Sequence, residues 1–242
     1  MNYTHLKVLL VALLIVSCGV ESVAPSENKA FSYIKSSDLG SLKKYVLDGG
    51  NPNLVDENGN SLLLLAIMNN DLRIFKFLLE NGATFNFRNE QGNPRERLVV
   101  MEQAAISENE GFLQILLEIG ADPNTLDSYL KYGVLFQAVV ATKPSNVKLL
   151  VSYGADINAV GPNGKTPIHS AIAIKNFEIA NYLLDNGADL TIKDKWGNSP
   201  VDTLKMFGDA GIKLNSDHYE WYLKFLHKLD IDPQTIAKTR HN

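Results

Sequence analysis

One short phrase returns five times along the chain, each time at the end of an apolar run. It reads Gly49-Gly50-Asn51-Pro52-Asn53, Gly82-Ala83-Thr84-Phe85-Asn86, Gly120-Ala121-Asp122-Pro123-Asn124, Gly154-Ala155-Asp156-Ile157-Asn158 and Gly187-Ala188-Asp189-Leu190-Thr191. The leading glycines stand 33, 38, 34 and 33 residues apart, so a structural unit of about 33 residues is being stacked. A unit of that length cannot bury its own apolar face and relies on its neighbours to do so, which selects a solenoid.

Within a unit the pattern reads as two short helices back to back. Leu62, Leu63, Leu65, Ala66 and Ile67 form one apolar segment, Asn69-Asn70-Asp71 breaks it, and Leu72, Ile74, Phe75, Phe77, Leu78 and Leu79 form a second. Gly82, and by repetition Gly120, Gly154 and Gly187, sit where the second helix must stop, because glycine takes the left-handed terminal conformation at little steric cost. The Asn and Gly residues that follow mark a turn. The 242 residues are 45% apolar and 21% charged, enough to bury a continuous core, and a net charge of −4 argues against nucleic acid as a partner.

The first eighteen residues stand apart. Lys7 gives a weak positive start, Val8 to Val16 is an uninterrupted apolar run too short to span a bilayer as a helix, and Ile15-Val16-Ser17-Cys18 follows. The segment reads as a secretion signal over residues 1–17. Its ending resembles the lipobox of bacterial lipoproteins, which implies that Cys18 becomes the lipid-bearing first residue. The other reading of Cys18 is a buried free thiol in an uncleaved segment. Because Cys18 is the chain's single cysteine, the mature body has no thiol to mispair in an oxidising compartment. Residues 18–27 then form a lipidated tether, with several acyl chains giving stable anchoring.

The repeat resembles the ankyrin repeat. The clearest unit is Gly164-Lys165-Thr166-Pro167-Ile168-His169-Ser170-Ala171 followed by Ala180-Asn181-Tyr182-Leu183-Leu184-Asp185-Asn186-Gly187-Ala188-Asp189, close to the family's G-x-T-P-L-H-x-A and L-L-x-x-G-A-D phrases. The resemblance covers about residues 28–229. It implies an all-α solenoid of about six stacked helix pairs, with short β-hairpin fingers and a concave binding surface. It also implies a structural role for Thr166, Pro167 and His169, the histidine hydrogen-bonding between neighbouring units.

Departures from the pattern carry expectations of their own. The third unit holds about five extra residues around Leu98 to Glu110, as a longer first helix or an added loop. Lys143-Pro144-Ser145 marks the turn between the helices of the fourth. His218 to Leu229, with Tyr219, Trp221, Tyr222, Phe225 and Leu226, suggests a C-terminal capping helix, and residues 230–242 read as a tail.

Catalytic and cofactor readings are weak. Ala159 to Thr166 fits a relaxed phosphate-loop pattern, but such a loop must follow a strand and open a helix, and here it is the repeat's own finger and helix start. No G-x-S-x-G or H-E-x-x-H segment occurs, and His5, His218, His227 and His241 lie in the signal or the C-terminal region. No Cys/His cluster has metal-ligand spacing. The chain is therefore expected to be no enzyme, with no cofactor and no metal.

Binding residues are expected at the finger tips, where repeat phase places Asn58, Gln91, Asn163 and Trp196 just before Gly59, Gly92, Gly164 and Gly197. Trp196 is either an exposed binding anchor or local packing on the neighbouring finger. The whole reads as a protein-binding lipoprotein of the bacterial periplasm. Gly19 after the cysteine, rather than Asp, favours the outer membrane by resemblance. Lipid-anchored ankyrin proteins of this type resemble immunity proteins that neutralise phospholipase or lipase toxins delivered by type VI secretion. They are also similar to periplasmic ankyrin adaptors associated with peroxide defence.

Overall fold

The computed structural model describes residues 27–85, 99–126, 132–207 and 217–238. Among them are six consecutive helix pairs: α1 (Glu27–Lys35) with α2 (Leu39–Leu47), α3 (Leu62–Met68) with α4 (Leu72–Glu80), α5 (Val99–Ile106) with α6 (Gly111–Glu118), α7 (Val134–Val140) with α8 (Pro144–Ser152), α9 (Pro167–Ala173) with α10 (Phe177–Asp185), and α11 (Pro200–Phe207) with α12 (Asp217–Lys228). A final short helix, α13 (Pro233–Lys238), follows. The first helices of the pairs stack on one another from α1 to α11 as an inner layer. The second helices form the outer layer, with α2 beside α4 beside α6 and α8 beside α10 beside α12.

The recurring Gly-Ala phrase closes the outer helices α4, α6, α8 and α10 in the same way. After α10, Gly187 has a φ of 95°, and the amide of Ala188 donates to Leu183 O at 3.0 Å while that of Gly187 donates to Leu184 O at 3.2 Å. These are the two bonds of a Schellman ending, and the methyl of Ala188 is buried against the helix it terminates. Ala83, Ala121 and Ala155 donate in the same register to Leu78, Leu116 and Leu150. Gly50 takes the alanine's place after α2 because a Cβ there would lie 2.5 Å from the Tyr45 ring.

Helix starts are capped by short polar side chains. Ser61 accepts from Leu64 N, Asp38 from Ser41 N, and Asn176 from Ile179 N. Pro144 opens α8 at its first position, after the turn 141–143, where its missing N–H is not needed. Buried asparagines tie units together: Asn146 donates to Ala105 O at 2.8 Å, and Asn181 to Trp221 O at 2.9 Å. Aromatic contacts fill the seams, with Phe75 edge-on to Phe112 and Phe177 against both Tyr222 and Phe225.

Four expectations are refined. Among the described residues two of the fingers carry single antiparallel bridges, Val55 with Ser61 and Leu126 with Gly133, in place of regular β-hairpins. The third unit's first helix is only one residue longer than its neighbours' and its turn, 107–110, one residue longer; the rest of the insertion lies outside the described residues. The aromatic segment 217–228 is the outer helix of the sixth pair, packed on α10. Residues 233–238, read from sequence as tail, form α13, because Ile236 is buried in the common core.

Candidate protein-binding surface

The inner helices bury one side against the outer layer and leave the other open. At the last turn of the five inner helices from α3 to α11, the same repeat position carries Met68, Ile106, Val140, Ala173 and Met206. Met68 is 61% exposed, Val140 46% and Met206 44%, while Ile106 and Ala173 are half-buried. Five consecutive units thus present an apolar row on the open side of the inner layer.

The finger tips meet this surface at one edge. The turn between α2 and α3 is held by Asp56, whose Oδ1 accepts from Asn58 N at 2.9 Å and Asn60 N at 2.8 Å. Asp194 does the same for the turn between α10 and α11, accepting from Trp196 N at 3.0 Å and Asn198 N at 2.9 Å. Burial works to raise both carboxyls, but the amide and side-chain hydrogen bonds outweigh it, so each is held below the ordinary aspartate value.

The sequence-predicted tip residues diverge in their surroundings. Asn58 is exposed. Asn163 is half-buried, its Nδ2 donating to the Tyr132 hydroxyl at 3.1 Å and its Oδ1 accepting from Lys195 Nζ at 2.7 Å. Asn163 therefore links its finger to those on either side rather than projecting freely. Its backbone joins in, with Lys195 N donating to Asn163 O at 3.0 Å, and a Cβ on Gly164 would meet Lys195 N at 2.8 Å. Trp196 is 61% exposed, with Lys195 Nζ 4.4 Å and Lys165 Nζ 5.6 Å from its ring centroid. Gln91 and Cys18 lie outside the described residues.

Thr166, Pro167 and His169 are buried at the start of α9. Thr166 N donates to His169 Nδ1 at 3.1 Å, with the Thr166 hydroxyl also 2.8 Å away. Because a backbone amide can only donate, Nδ1 is an acceptor, and the ring proton sits on Nε2, 3.2 Å from Asn198 O in the next unit. Burial is the main cause holding this histidine below its ordinary value. With both nitrogens engaged and the ring enclosed, His169 is a joint between units. The phosphate-loop match falls on the same turn and α9 start.

A cleft of about 280 Å³ opens between the fingers that precede α7 and α9, lined by Leu126, Tyr132, Phe136 and Val160 among others. Tyr132 stacks on Phe136, ring centroids 4.2 Å apart. A Cβ on Gly161 would lie 2.4 Å from the Tyr132 ring, which explains why this finger has glycine where others have Asp56 or Asp194.

The model of ankyrin repeats (three copies) matches residues 31–127 and 101–194. The chain belongs to the ankyrin-repeat family. Human SH3 and multiple ankyrin repeat domains protein 2 is 28% identical over 181 residues, 74% of this chain and 10% of that protein. The ankyrin repeat domain of Bcl-3 superposes with a TM-score of 0.64 at 25% identity, covering 72% of this chain and 76% of that one. An ankyrin repeat domain from Acinetobacter baumannii AYE reaches a TM-score of 0.69 at 22% identity over 86% of this chain and all of its own, a likeness of fold alone. The chain spans from a tenth to about half the length of the first curated relatives it matches. Ankyrin repeats are in general protein-interaction modules without catalytic activity, and this array has a protein-binding role.

Proposed function

We propose that the chain is a lipid-anchored periplasmic binding protein, and that it acts as an immunity protein which grips and neutralises a phospholipase or lipase toxin delivered by type VI secretion. The observation that carries the binding half is the apolar row Met68, Ile106, Val140, Ala173 and Met206, exposed or half-exposed in five consecutive units. Contiguous exposed apolar surface marks interaction sites on soluble proteins, and methionine side chains adapt to a partner's contour. A specific interface buries about 1,600 Å² in total, an area a concave face six units long can supply.

The inhibitor half is supported by the sequence. The lone Cys18 at the end of a short apolar run resembles a lipidation site, and an anchor there would station the array where a lipid-cleaving toxin meets its substrate. Inhibition then needs no chemistry from this chain, only a partner held on the concave face with its own site covered.

The test has two arms. Cys18→Ala should abolish acyl labelling and leave an uncleaved or mislocalised precursor; unchanged labelling removes the anchor. In a strain that carries a type VI secretion cluster, cells lacking the gene should be killed by sibling cells; survival equal to the parent's removes the inhibitor reading and leaves an adaptor role, such as one in peroxide defence.

A further inference from the structure

We infer that Trp196 with Lys165 and Lys195 forms a docking platform for an acidic segment of the protein partner. The inference rests on the protein-binding role above and goes further by stating the chemistry of one contact. The Trp196 indole is not needed by its own finger. That turn is closed by the Asp194 carboxylate, which accepts from Trp196 N and Asn198 N, and by Gly197 N donating to Asp194 O at 2.9 Å. The side chain nevertheless stands 61% exposed, an arrangement expected of an interface anchor and costly to leave in water otherwise.

Its surroundings specify charge. Lys195 Nζ lies 4.4 Å from the ring centroid and is pinned by Asn163 Oδ1 at 2.7 Å, which leaves two of its three donors for a ligand. Lys165 Nζ reaches the same ring from the neighbouring finger at 5.6 Å. No described carboxylate forms an ion pair with Lys165 or Lys195. The nearby acids are already engaged: Asp194 is buried on its turn amides, and Asp202 accepts from the Ser199 hydroxyl at 2.6 Å and the Ser199 amide at 2.9 Å. The platform is therefore cationic on a chain whose net charge is −4. An acidic segment is drawn to this tip in preference to the rest of a chain that is net acidic as a whole, which sets register as well as attraction.

A peptide suits the site better than a membrane. Two ammonium groups lie over the indole, and seating that ring in hydrocarbon would require stripping water from both. Carboxylates of an extended chain can instead bond the ammoniums while an apolar neighbour lies against the indole edge.

The experiment uses the purified full chain and a fluorescein-labelled peptide of repeated Asp-Glu-Leu-Ser-Gly units, followed by anisotropy. Binding should weaken from about 0.01 M to 0.15 M salt as the screening length shrinks from about 30 to 8 Å. Trp196→Ala, and Lys165→Gln with Lys195→Gln, should each weaken it by about tenfold, whereas Lys165→Arg with Lys195→Arg should retain it. Lys29→Gln with Lys76→Gln, which removes the same charge from exposed positions on α1 and α4, should leave peptide binding unchanged. Equal binding of the amide isostere Asn-Gln-Leu-Ser-Gly, or wild-type binding by the Gln and Ala variants, would overturn the inference. So would Trp196-dependent sedimentation with phosphatidylglycerol vesicles when the peptide does not bind. If the peptide fails while a periplasmic partner is still captured by the wild-type chain and lost from the Met68→Ser, Val140→Ser chain, the binding role stands and this contact alone falls.

Discussion

Asn158 holds the backbone of Gly187 in the next unit: its Nδ2 donates to Gly187 O at 3.1 Å, and its Oδ1 accepts from Asp189 N at 2.8 Å. Asn53 makes the same pair of bonds to Gly82 and Thr84, and Asn124 to Gly154 and Asp156. A primary amide is suited to this position because it offers a donor and an acceptor side by side. Asn158→Ala removes both bonds and is expected to cost about 1–3 kcal/mol, read as a lower urea midpoint. Asn158→Asp keeps the acceptor but sets a carboxylate against a carbonyl, and should recover little of that loss.

Leu183 joins the two layers at the end of α10. It is fully buried, and its carbonyl accepts the Schellman bond from Ala188. Leu183→Ala opens a cavity in a core shared with the neighbouring pairs, so the expected loss is about 2–5 kcal/mol. Because stability in a solenoid passes through nearest-neighbour interfaces, the unfolding transition should also broaden as the last pair uncouples from the rest. A loss well below that range would mean that the site collapses around the smaller side chain.

The repeat unit was legible because its markers are local: a positive φ after the outer helices from α2 to α10 admits glycine, and the buried Schellman methyl selects alanine. The same phrase shows asparagine at its fifth position, which reads as turn chemistry; its grip on the following unit depends on a backbone about thirty residues away and leaves no local mark. Trp196 could be placed at a tip by its spacing from Gly197. Asn163 occupies the equivalent position, yet its side chain is engaged by Tyr132 and Lys195 from the fingers on either side. The apolar row was hidden for a different reason. Met68 and Val140 end runs of apolar residues, and periodicity alone does not distinguish a side chain facing the outer layer from one facing the open side.

Thr142 sits in the inner-to-outer helix turn with a φ of 56°. A β-branched residue is strained in that region, where the equivalent Asn70, at 53°, is much better tolerated. The Thr142 side chain is exposed, so little packing opposes replacement. Thr142→Asn should raise stability by about 0.5–1 kcal/mol, seen as a higher thermal midpoint. Thr142→Gly should gain less, because glycine's freedom in the unfolded chain offsets part of the relief.

His169 gives the array a pH dependence of definite sign. Burial holds its folded-state value below the ordinary 6.5; Asn198 O and Asp194 oppose that shift, and Lys165 adds to it. The unfolded chain therefore binds a proton at a higher pH than the folded one, and stability rises with increasing pH wherever the unfolded state holds more protons. The contribution of His169 is fully present above pH 6.5 and is lost as pH drops from there through the depressed folded value. Asp71 and Asp194 act lower, since their ordinary value is 3.8 and each is depressed further. The thermal midpoint should thus be flat above neutral pH and begin to fall just below pH 6.5, well before the carboxylates titrate. His169→Gln, which keeps a donor for Asn198 O without a titratable ring, should lower the midpoint at neutral pH and remove this first decline. A variant that retained the decline would assign it to another group.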